Sequence, residues 1–123
     1  MPKEKIEIEG GKVYGPYSPG VKANGMIFLA GQIAPEAGDD ITSQTSAALD
    51  KVDSLLAQAG VDKNSIVFAQ VLLDDIDDFA AMNEVYGSWL EGCDCPPARA
   101  AFEAARLPRG AKVEIVIQAV EDN

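Results

Sequence analysis

No histidine occurs anywhere in the 123 residues. Its absence removes Ser-His and Cys-His nucleophilic pairs, imidazole acid–base chemistry and most zinc sites. Any catalysis must then use carboxylates, Arg, Lys, Tyr, backbone groups or water. Cysteine is scarce: Cys93 and Cys95 stand as C-x-C, with no second pair to complete a metal site and no C-x-x-C. The pair is expected to be ordinary loop thiols in a reducing compartment, with no metal bound. Basic residues number 10 against 20 acidic ones, a formal charge of −10. Such a surface repels phosphate backbones and argues against a nucleic-acid partner. Long apolar runs are missing as well: 26–30 and 71–73 fall far short of a membrane span. Met-Pro-Lys-Glu-Lys at the start has no apolar stretch after its charges, so no secretory signal is read and no membrane partner is expected. The expectation is a soluble cytoplasmic protein.

What is present fits a globular chain. Apolar residues make up 47%, and the length suits one domain over 1–123 with a real core. No repeat, low-complexity tract or linker interrupts it. The pattern reads strand, strand, helix, strand, helix, strand, strand. Residues 26–33 (MIFLAGQI) form a β-type run closed by Pro35 and Gly38. From 42 to 59, Ala48, Val52, Leu55, Leu56 and Ala59 share a helical face, and Gly60 supplies the stop. A strand follows over 65–73. Residues 74–78 (DDIDD) form a turn that caps a second helix rather than a cation loop, since the glycine and distal glutamate of a calcium site are missing. That helix carries Phe79, Met82, Tyr86, Trp89 and Leu90 on one side and ends near Gly92. The last strands run over 99–104 and 112–120, joined by Leu107-Pro108-Arg109-Gly110.

The strands at 26–33 and 65–73 are apolar on both faces, which predicts burial on both sides. Two helices cover one face only. A subunit interface is the expected cover for the other. Arg99 and Glu114 stand among small or apolar neighbours, and both are expected on the face left to that interface. They could simply pair with each other or with a neighbouring subunit. Alternatively, Arg99 holds a carboxylate through two parallel hydrogen bonds and a desolvated Glu114 handles a proton or a water. Asn83 borders the apolar face of the second helix, where it could cap or bond the core. Tyr17, in Gly15-Pro16-Tyr17-Ser18, could be a packed turn aromatic.

Four segments carry a resemblance: GPYSPGV (15–21), IFLAGQI (27–33), DFAAMNEVY (78–86) and PARAAFEAARLPRGAKVEI (97–115). In this order, over nearly the whole chain, they resemble the RidA/YjgF family of imine deaminases. The resemblance implies an α+β, chorismate-mutase-like fold: a mixed sheet of about six strands, two helices on one face, and a homotrimer with clefts between subunits. It implies hydrolysis of 2-imino acids and their enamine tautomers, such as 2-aminoacrylate, to 2-keto acids and ammonia, with no cofactor. Arg99 matches the family arginine that holds the substrate carboxylate, and Glu114 the glutamate that positions water. Tyr17, Asn83 and Tyr86 match pocket residues, and backbone near Ala30 and Gly31 and at Ala101 matches further contacts. Ala30 stands where many relatives carry Ser or Thr, so a hydroxyl is missing there. Ala101 stands where several carry Cys. A ribonuclease or translation inhibitor, a label attached to some relatives, is disfavoured by the net charge. A small-carboxylate binder without turnover is the other alternative.

Overall fold

Alternation along VEIVIQAV places Val113, Ile115, Ile117 and Ala119 on one face of a strand, and all four are completely buried. That strand is central in the computed structural model, which describes residues 2–121. The sheet comprises β1 (Glu4–Ile6), β2 (Gly20–Ala23), β3 (Met26–Gln32), β4 (Ile66–Leu73), β5 (Ala98–Glu103) and β6 (Val113–Val120), in the order β1-β2-β3-β6-β4-β5. All neighbours pair antiparallel except β4 and β5, which are parallel. The sequence pattern counted one strand before 26–33 and gave it no bounds, whereas the structure has two, β1 and β2.

Helix α1 (Ile41–Gln58) joins β3 to β4, and α2 (Phe79–Trp89) joins β4 to β5. Both crossovers step in the same direction across the sheet, so the usual right-handed connection puts both helices on one face. Asp40 caps α1 by accepting a 2.8 Å hydrogen bond from the Ser43 amide. Ala48, Leu49, Val52, Leu55 and Leu56 face inward, and Gly60, at φ 86°, ends the helix. Each buried Leu or Val contributes ~1.5–3 kcal/mol relative to exposure. The acidic run behaves differently from expectation at one point. Asp75 caps a short 3-10 turn (Ile76–Asp78) through the Asp77 amide, whereas Asp78, at the start of α2, makes no side-chain cap.

Two bulges revise the reading of strand faces. In β4 the register slips between Ile66 and Phe68, so Ile66, Ala69, Val71 and Leu73 all point to the helices while Phe68, Gln70 and Leu72 point away. In β3 it slips between Leu29 and Gln32, leaving Ala30 and Gly31 out of the regular ladder. On the uncovered face Phe28 and Phe102 are 41% and 43% exposed, with Phe68, Leu72, Val116 and Val120 partly buried around them. An apolar patch of this kind is where a partner surface is expected.

A candidate active site in two halves

Parallel pairing fixes the first half. Ala69 pairs with Arg99 and Val71 with Ala101. Because Ala69 and Val71 are fully buried under the helices, Arg99 and Ala101 share that covered face. The expectation that Arg99 lies on the uncovered face is therefore corrected. β5 is the edge strand, so Arg99 emerges where α2 overhangs it. There Phe79, Asn83 and Tyr86, spaced i, i+4 and i+7 on one helix face, converge on the guanidinium. Nη1 donates to Asn83 Oδ1 at 2.5 Å. The guanidinium carbon lies 5.4 Å from the Phe79 ring centroid and 4.9 Å from that of Tyr86. Such contacts stabilise a cation by roughly 0.5–2 kcal/mol each. Among the described residues no carboxylate meets Arg99, so most of its donor fork is open to a ligand anion. The Tyr86 hydroxyl is buried and has no partner among the described residues. Burial pushes its pKa up, Arg99 works against that rise, and nearby Cys93 adds to it.

Glu114 builds the second half on the opposite face. It pairs with Leu72 across β4 and β6, one step out of phase with the buried Val113 and Ile115. Within one chain Arg99 and Glu114 therefore cannot pair, contrary to the simplest structural expectation. The Glu114 carboxylate sits over Gly31: a Cβ there would overlap Oε2 and lie 2.7 Å from Cδ. The bulge and the missing side chain together make the seat. Glu114 has no hydrogen-bond or ionic partner among the described residues, and burial alone pushes its pKa up. Neighbouring backbone is tied down: the Ala30 amide donates to Pro19 O and Gln32 Nε2 donates to Ala30 O, both at 2.8 Å. Gln44, buried in α1, accepts from the Lys112 amide at 2.9 Å and so fixes the start of β6 two residues before Glu114.

Tyr17 and Gly31 also border a cavity of about 570 Å³ between the segment 7–19, the end of β3 and α1. Neither Arg99 nor Glu114 lines it, so this hollow adjoins the second half without being the site itself. The structure thus groups Arg99, Asn83, Tyr86 and Ala101 in one place, and Glu114, Gly31 and Ala30 in another, while Tyr17 borders the adjoining cavity. Two features escaped the sequence reading: Phe79 as a wall for Arg99, and Gly31 as the seat of Glu114. The first was open to helical spacing, but the second involves residues too far apart in sequence to leave a local signal. Among the described residues no group of three or more His, Cys, Asp or Glu side chains could hold a metal ion. No helix there is long and apolar enough to cross a membrane.

Residues 8–121 match the family described as Endoribonuclease L-PSP. The chain is 40% identical to a RutC family protein of Pyrococcus abyssi, over 94% of each chain. It is 38% identical to the 2-iminobutanoate/2-iminopropanoate deaminase of Mus musculus, over 87% of this chain and 82% of that one. Among solved structures it resembles E. coli TdcF with bound serine, with a TM-score of 0.88 and 32% identity over 97% of this chain and 99% of that one.

Proposed function

We propose that this chain, which belongs to the Endoribonuclease L-PSP family of RidA/YjgF proteins, is a hydrolytic deaminase of reactive 2-imino acids and their enamine tautomers. Arg99 holds the substrate carboxylate in two parallel hydrogen bonds, with Asn83 steadying the guanidinium and Tyr86 walling it. Glu114 orders a water over the bulge at Ala30 and Gly31, beside Tyr17. Water oxygen adds to the imine carbon, the C=N pair moves to nitrogen, and the water proton passes to Glu114. Glu114 returns that proton to nitrogen, giving the neutral carbinolamine. Its carboxylate then accepts the hydroxyl proton and passes it to the amine as C=O forms and C–N breaks, so nitrogen leaves as ammonia with both water protons. An enamine first tautomerises to the imine. The overall change is imine plus water to 2-keto acid plus ammonia, and it balances without a redox cofactor. A protonated imine is already electrophilic, so orientation and electrostatics suffice.

One observation carries the assembly proposed with it. Among the described residues, a guanidinium without a carboxylate and a carboxylate without a cation lie on opposite faces of one sheet, which supports a site completed by a second copy. We therefore place the cleft between subunits of a homotrimer, with the uncovered apolar face buried there. The family's name points to ribonuclease activity, but a net charge of −10 opposes RNA.

The test is to generate 2-aminoacrylate or 2-iminobutanoate with a dehydratase and to follow ammonia and keto-acid release with this protein added. Acceleration supports the reading. No acceleration, together with saturable binding of 2-oxobutanoate, replaces it with a small-carboxylate binder, for which the serine held by TdcF is a parallel.

A further inference from the structure

Between β1 and β2 the chain leaves the sheet over residues 7–19 and returns, its ends held together by the pairing of Ile6 with Gly20. Two backbone hydrogen bonds lie wholly inside this strap: Gly11 N to Ile8 O and Tyr17 N to Gly15 O. At its far end Pro19 O accepts from the Ala30 amide. Among the described residues, one polar contact ties 7–18 to the rest of the chain. Arg109 Nη1 donates to the Tyr14 hydroxyl at 3.3 Å, and its guanidinium carbon lies 4.6 Å from the Tyr14 ring centroid. Gly10 and Gly15, at φ 78° and 133°, give the strap backbone freedom on either side of Lys12 and Tyr14.

Arg109 itself is in the left-handed region at φ 57°, followed by Gly110 at φ 68°. Glycine would hold position 109 without strain, and an arginine there is a local cost borne for its side chain. The strap walls the 570 Å³ cavity with Tyr14 and Tyr17, and Gly31 and Arg109 border the same space. One polar contact therefore ties down the strap that brings Tyr17 to the cavity Gly31 borders.

We propose that Arg109 and Tyr14 form a latch that holds the 7–18 strap closed, making Arg109 a positioning residue for Tyr17 in the cavity that adjoins the Glu114 half of the site. Both partners are solvent-exposed, which suits a contact that breaks and reforms during ligand entry.

Native-state cleavage after Lys12 by a lysine-specific endoprotease reads strap opening directly. Arg109→Gly keeps the left-handed turn and removes the latch without altering the cleaved sequence. Cleavage is expected to become about three- to tenfold faster, with an intermediate rate in Arg109→Lys and a smaller rise in Tyr14→Phe, which keeps the ring. An unchanged rate in Arg109→Gly, with its melting temperature preserved, overturns the latch. A kinetic arm rests on the deaminase reading: KM for a 2-imino acid should rise several-fold while kcat changes less than about twofold. A fall in kcat with unchanged KM overturns the positioning role. If the wild-type protein releases no ammonia, the deaminase reading fails and the cleavage rates alone decide the latch.

Discussion

Replacing Gly31 with alanine adds a single carbon at the seat of Glu114. The new Cβ would overlap Oε2 and lie 2.7 Å from Cδ and 2.9 Å from Cγ, where ordinary contact begins at 3.4 Å. The carboxyl carbon must therefore retreat by at least 3.4 − 2.7 = 0.7 Å. Gly31 is outside the left-handed region, so alanine introduces no backbone strain, and the end of a flexible side chain can yield. Folding should survive with a melting temperature within a few degrees of wild type. Catalysis should not, because a misplacement of about 1 Å costs on the order of 100-fold in rate. We expect Gly31→Ala to lower kcat/KM for a 2-imino acid by about that factor. A double-mutant cycle separates this from general damage. In the Glu114→Ala background the Cβ meets no carboxylate, so adding Gly31→Ala should cost little more. Wild-type kcat/KM in Gly31→Ala, or fully additive losses in the double variant, would refute the coupling.

Burial raises the Glu114 pKa from its ordinary 4.5, so the folded chain holds that proton more tightly than the unfolded chain. Between the two values stability falls as pH rises. Glu114→Gln should accordingly melt higher than wild type at pH 7, with the advantage gone below about pH 4. Wild-type kcat/KM should fall with acidification through the raised value, since the ionised carboxylate accepts the water proton; a flat profile down to pH 4.5 would contradict that role. Arg99→Lys keeps the charge but loses the two-pronged geometry, and Arg99→Ala loses both. The expected cost for the alanine variant is roughly 30-fold to several thousand-fold in kcat/KM, with the lysine variant substantially weakened. A folded Arg99→Ala oligomer with wild-type turnover would end its assignment. Val116→Glu puts a charge amid the uncovered apolar face, so sedimentation should shift from three times the 13.0 kDa chain mass to one; a wild-type monomer at micromolar concentration would refute the assembly.

Much of this arrangement was legible in the sequence because it follows short periods. The unbroken alternation of Val113, Ile115, Ile117 and Ala119 identified β6, and the spacing of Ala48, Val52, Leu55 and Leu56 identified the buried face of α1. Asn83 was recognisable as a polar residue beside an apolar helix face, where it meets Arg99. The face of Arg99 was not legible. Alternation along β5 separates two sets of side chains, and only parallel pairing with β4 decides which set lies under the helices. Bulges at Val67 and at Ala30 and Gly31 hid for a similar reason: an inserted residue leaves the composition of a strand unchanged while reversing its phase. β1 is three residues long, too short to establish any period.

The placement of Arg99 and Glu114 on opposite faces of a single sheet has a genetic consequence. If each cleft takes one of these residues from each of two neighbouring copies, no chain owns a complete active site. A chain lacking Arg99 still presents an intact Glu114 face, and a chain lacking Glu114 still presents an intact Arg99 edge. Co-expressed, two individually dead alleles would complement each other within mixed assemblies, restoring about a quarter of the clefts under random association at equal dose. Conversely, a single chain carrying both lesions would spoil both clefts it touches and act as a dominant poison on its wild-type partners.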